Sequence, residues 1–133
     1  MPITNYLANS LMTAMKSNSA VVSFAGGLWL GLLQDNPGPT GVGSQELTQT
    51  GYARVRLNDK LTTATVGIQN NNATVSFGSA GESWGRPAYV GVFADATTTT
   101  LLAYGAIAVP VTISPGYVLH FHPGNLTIYN KVV

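Results

Sequence analysis

At 133 residues the chain has room for one domain around one core, expected to span residues 1–133. Asp, Glu, Lys and Arg make up only 8% of it, against about 25% in an average soluble domain, and the formal net charge is +1. That balance excludes a nucleic-acid surface, which needs clustered Lys and Arg, and the lack of cysteine excludes disulfides and thiolate metal sites.

Polarity comes instead from 15 Thr, 9 Ser and 10 Asn, so the surface is wettable but weakly charged. A free monomer normally keeps surface charge to resist association. The composition therefore points to self-association or docking on a larger assembly.

Residues 4–17 place Leu7, Leu11 and Met15 four apart, with Ala8 and Met12 beside them, which predicts a helix with one apolar stripe. Thr4 is its expected N-cap. The stripe is expected to pack on its own domain, a neighbouring subunit being the alternative. From about residue 20 to 133 the periodicity falls to two, so the rest of the chain is expected to form a β domain.

The apolar run Ala20–Leu33 is shorter than the roughly 20 residues that span a bilayer, and Gly26-Gly27 interrupts it, so no membrane anchor is expected. Leu28, Leu30 and Leu32 point one way while Trp29 and Leu33 point the other. A strand apolar on both faces is expected at the centre of a sandwich, covered by the helix; the alternative puts Trp29 in a subunit interface. The stretch from Asn36 to Gln45 carries two prolines and three glycines and is expected to be a loop long enough to act as an arm.

Next, Ala53, Val55 and Leu57 alternate with Tyr52, Arg54 and Arg56, which predicts a half-buried strand with a polar outer face. Further strands are expected over 61–68, 73–77, 88–94, 101–109, 116–122 and 125–132, with turns at Asn70-Asn71-Asn72 and Thr97–Thr100. The apolar parity changes from Tyr117, Leu119 and Phe121 to Leu126 and Ile128 across a Pro123-Gly124 pair suited to a type II turn. About eight short strands, spaced by turns, predict an all-β fold: an antiparallel β-sandwich or barrel-like roll with one N-terminal α-helix.

One motif bears on chemistry. Gly81-Glu82-Ser83-Trp84-Gly85 matches the G-x-S-x-G elbow of serine hydrolases, and Asp95, His120 and His122 follow in hydrolase order. An elbow needs a helix after the serine, but Arg86-Pro87 leads into alternating Tyr, Val and Phe, a strand. The stretch is therefore expected to be a turn between two antiparallel strands, with Trp84 folded over the core and Ser83 bonded to local backbone. No catalytic residue is expected.

His120 and His122 share one strand face, as metal ligands would, but a zinc site needs a third protein ligand. The five carboxylates, Asp35, Glu46, Asp59, Glu82 and Asp95, are each isolated in an expected turn or loop. Neither a metal nor a cofactor is expected.

The stretches Gly27 to Gly41, Gln49 to Val55, Ala73 to Ala96, Leu101 to Ile107 and Gly116 to Tyr129 together resemble a family of short virion proteins of tailed bacteriophages. The resemblance covers nearly the whole chain, and it implies a structural role in the virion with no enzymatic activity. Some such proteins are described as tail fibre proteins, and others of this size and low charge resemble capsid decoration, or cement, proteins.

The expectation drawn is a decoration protein that binds the major capsid protein on the outside of the head and stabilises the shell as a homo-oligomer, a trimer from the three-fold positions of a capsid. A tail fibre or baseplate component that touches host glycans is the alternative. The expected location is the virion, assembled in the host cytoplasm, with no nucleic-acid or membrane partner. Candidate interface residues are Leu7, Leu11 and Met15 on the helix, Trp29, and Pro37, Pro39 and Val42 in the loop.

Overall fold

The computed structural model describes residues 1–17, 26–40, 45–63, 68–97 and 99–129. These residues form one helix, α1 (Asn5–Ser17), and eight short strands: β1 (Trp29–Leu33), β2 (Val55–Arg56), β3 (Ile68–Asn70), β4 (Val75–Ser76), β5 (Tyr89–Phe93), β6 (Leu101–Ala106), β7 (His120–Phe121) and β8 (Thr127–Tyr129). All pairings between the strands are antiparallel. One four-stranded sheet runs β2-β1-β5-β6, and two ladders, β3-β8 and β4-β7, complete the β structure.

β1 and β5 lie at the centre because both of their faces are apolar. Leu30, Leu32 and Leu33 have no exposed surface. Leu30, Leu32, Val90 and Val92 enter the main core with Leu57, Val75, Phe77 and Trp84, while Leu33, Phe93 and Leu101 form a second cluster with Trp29, Tyr89 and Tyr104. Each such side chain contributes about 1.5–3 kcal/mol when fully buried. Gly31 sits opposite Gly91 in this pairing. A Cβ on Gly31 would stand 2.8 Å from the Phe93 ring and 2.7 Å from the Glu46 carboxylate, so only glycine lets those groups close over the strand.

The first four residues connect the sheet to a ladder. Ile3 bridges Ala103, and the Tyr104 and Thr4 amides donate to the Pro2 and Leu102 carbonyls at 3.2 and 2.8 Å. On the other side the Tyr129 amide donates to the Met1 carbonyl at 3.1 Å. Met1–Thr4 thus lies between β6 and β8. Thr4 ends this segment buried: its hydroxyl donates to the Leu101 carbonyl at 2.6 Å and stands 3.5 Å from the Leu7 amide, capping α1.

Several local expectations change. The helix packs on β6 rather than over β1, because Thr4 fixes its start beside that strand. Met12 and Met15 then point outward, 68% and 80% exposed. The strand expected over 101–109 stops at Ala106, the Ile107 amide making the last bond, to the Ala88 carbonyl at 2.8 Å, and Val109 is left in solvent before Pro110, which has no N–H to carry a ladder on. Of the strand expected over 116–122 only His120–Phe121 is regular strand, although the Leu119 and Tyr117 carbonyls still accept from the Phe77 and Ala80 amides, and Tyr117 is exposed rather than inward. Asn70 belongs to β3 and Asn71 bridges Leu61, so the Asn triplet is not simply a turn; residues 64–67 of the strand expected before it lie outside the described residues. The Pro123-Gly124 turn forms as expected, with Gly124 at φ 85° and the Asn125 amide donating to the His122 carbonyl at 3.0 Å.

Candidate functional site

The hydrolase-like residues are engaged separately. Ser83 is exposed and its hydroxyl accepts from the Gly85 amide at 3.4 Å. Asp95 accepts from the amide and hydroxyl of Thr97 at 3.1 and 3.3 Å. His120 meets Ser76 instead, with Nδ1 2.6 Å from the hydroxyl. Among the described residues, therefore, no serine, histidine and carboxylate come together in one relay. The segment is also not a hairpin turn, because β4 and β5 on either side of it belong to different sheets. It is a crossover held by the segment around Ile113: the Trp84 amide donates to the Ile113 carbonyl at 3.0 Å, and the Ile113 amide returns the bond to Gly85 at 2.8 Å.

Trp84 is the buried member of that crossover, only 1% exposed, and its indole N–H donates to the Thr50 carbonyl at 3.0 Å. Its ring stands edge-on to Tyr52 at 5.7 Å, Tyr52 stacks on Phe77 at 6.1 Å, and Phe77 meets Phe121 edge-on at 6.4 Å. A column of four rings therefore crosses the core. Such contacts add about 0.5–1.5 kcal/mol each beyond area burial.

Tyr52 ties this column to a polar strut that alternation alone misplaced. Arg54 was expected on a solvent-facing side, yet its side chain is 6% exposed. It grips Glu46 with two 2.8 Å bonds, donates to the Asp95 carbonyl at 2.8 Å, and lies 3.6 Å over the Phe93 ring. The Tyr52 hydroxyl donates to Glu46 at 2.5 Å and accepts from the Leu32 amide at 3.0 Å. It thereby fills a gap in the ladder beside β1, between the residues that pair with β2 and those that pair around Glu46. Burial first, then the Glu46 carboxylate, push the Tyr52 phenol well above its ordinary value, so it stays a neutral donor. The strut is structural, since its polar groups are spent on one another.

Open apolar surface lies beyond β6. A groove of about 770 Å³ is walled by Val90, Ile107, Val109, Val111, Leu119 and Phe121, with His120 also contributing. Val109 is 76% exposed, and Val111, Tyr117 and Val118 are exposed as well. None of the valines was singled out from the sequence, whereas Tyr117, Leu119 and Phe121 were expected to face inward. The usable signal is Pro110 and Pro115, which bar the neighbouring valines from a continuous ladder.

The candidate interface residues divide. Met15 is exposed, whereas Leu7 and Leu11 are half-buried. Trp29 is half-buried against the second cluster, with its indole N–H donating to the Gly26 carbonyl at 2.7 Å. Pro37 is buried, and Pro39 is exposed while its carbonyl accepts from the Asn5 amide at 2.9 Å, so this part of the loop is seated on the start of α1. Val42 lies outside the described residues.

Among the described residues no three histidines or carboxylates gather as metal ligands, and no helix is long and apolar enough to cross a membrane. The family described as Podophage GP4 fiber I protein gp80 matches residues 2–129. The chain belongs to that family of phage fibre proteins, in agreement with the resemblance its motifs carry. No curated protein matches it.

Proposed function

We propose that this protein is a non-enzymatic structural subunit of a bacteriophage fibre, acting by binding alone, with copies of itself as its first partner. The observation that carries this reading is the open groove beyond β6, bordered by exposed Val109 and Val111, on a chain with only 11 charged side chains. Exposed apolar surface with so little charge around it favours association over solubility as a monomer. The family description supports a fibre. Each interface added between subunits raises the free energy needed to separate them, which is the whole of the mechanism.

The decoration protein bound to the major capsid protein is the second reading, favoured by the same weak surface charge. Gold-labelled antibody on intact virions distinguishes them: label on the tail supports the fibre, and label spread over the head overturns it. The non-enzymatic part has its own check. Incubation with a fluorophosphonate probe is expected to leave Ser83 unlabelled, and covalent labelling there would restore hydrolase chemistry.

A further inference from the structure

We propose that His120 and His122 form half of a transition-metal site that a second copy of this chain completes with the same two residues. The β4–β7 ladder sets Ser76 opposite His120, and the serine hydroxyl lies 2.6 Å from Nδ1. A hydroxyl that accepts the Nδ1 proton leaves Nε2 with its lone pair, the atom a metal takes, and an acceptor on the far ring nitrogen is what orients a ligating imidazole. The backbone beneath is fixed from inside. The Asn71 amide, buried in the core, donates to the His122 and Phe121 carbonyls at 2.9 and 3.3 Å, while the His122 carbonyl also closes the Pro123-Gly124 turn.

Both imidazoles are exposed and nearly parallel, with ring centres 6.4 Å apart and 24° between planes. With His120 held by Ser76, rotation of the His122 side chain is what brings a nitrogen of each ring to about 2.0–2.1 Å from one ion. One chain supplies only two ligands, and no further histidine or carboxylate joins them among the described residues. A structural zinc site takes four, so the site is incomplete without a second copy. Four neutral imidazoles and no carboxylate select zinc, nickel or copper over calcium and magnesium.

The inference rests on the self-association proposed above, and one experiment separates the two. Full-length, tag-free protein, stripped with a chelator, is titrated with zinc chloride while bound metal and sedimenting mass are followed. The expected result is less than one zinc per chain, about half an equivalent for a pair of copies, with an increase in mass on zinc addition. His120→Ala and His122→Ala are each expected to lose that step, and Ser76→Ala to bind zinc about 10-fold more weakly or worse. One zinc per chain with no change in mass overturns the shared site, as does a zinc-driven step that survives in both histidine variants. Equal assembly in chelator and in zinc overturns the metal site but leaves self-association standing; a chain that stays monomeric throughout overturns both.

Discussion

The strut around Tyr52 and the groove beyond β6 both reverse the usual places of polar and apolar side chains. In the strut, an arginine, a glutamate and a tyrosine are drawn inward and paired with one another; in the groove, valines that could have been core face the solvent. The difference separates what the fold needs from what it offers. Substitutions in the strut should unfold the chain, whereas substitutions in the groove should leave it folded and deprive it of partners.

The sharpest way to break this contrast is Trp84→Ala, which empties the end of the ring column and should cost about 3–5 kcal/mol in urea unfolding. A loss no larger than the roughly 0.5 kcal/mol of a surface change would show the column is not part of the core. Arg54→Ala should come next, at about 2–3 kcal/mol, because it leaves Glu46 without its partner; the figure is below that of a fully buried pair since Glu46 is 25% exposed. Calorimetric melting of this variant beside Glu46→Gln checks whether the pair or the packing on Phe93 carries the loss.

Tyr52→Phe should cost about 1–3 kcal/mol, since it strands the Leu32 amide and takes from Glu46 one of the two donors to its Oε2. It also carries a pH signature. The phenol ionises in the unfolded chain near its ordinary value of 10.0 but resists ionising in the fold, so the unfolded state binds fewer protons above that pH. The stability due to Tyr52 is present below pH 10.0 and declines as pH rises beyond it. Unfolding followed from neutral to alkaline pH should show a shallower decline in Tyr52→Phe. The smallest effect on folding belongs to the pair Val109→Ser and Val111→Ser, within about 0.5 kcal/mol each. Sedimentation of the same double variant should show weakened self-association. A large fall in stability with unchanged assembly would assign the groove to the core.

The centre of the sheet was legible because β1 and β5 carry apolar residues on both faces within five positions, a pattern that only a covered strand tolerates. Thr4 was legible as a cap from its place before an apolar helical stripe. Arg54 and Tyr52 were not, because alternation assigns a side chain to a face and says nothing of what arrives above it. Here Glu46 and Phe93 arrive from elsewhere in the chain. Asn71 was hidden among three asparagines, although it alone is 2% exposed and its side chain bonds Ala73, Phe121, His122 and Leu126. His120 was grouped correctly with His122 on one face, but its serine partner came from a ladder that periodicity does not register.

The placement of Met1–Thr4 between β6 and β8 sets an order of events during synthesis. That segment leaves the ribosome before Leu101–Ala106 and Thr127–Tyr129, the strands on either side of it, which lie about a hundred residues later in the sequence. Contacts of such sequence separation are slow to close, and transiently open apolar surface is prone to aggregate. The helix therefore emerges with its stripe uncovered, and the sheet closes only after β6 and β8 have followed it out. Sister chains on one polysome spend that interval side by side, before the seam that finishes each of them has shut.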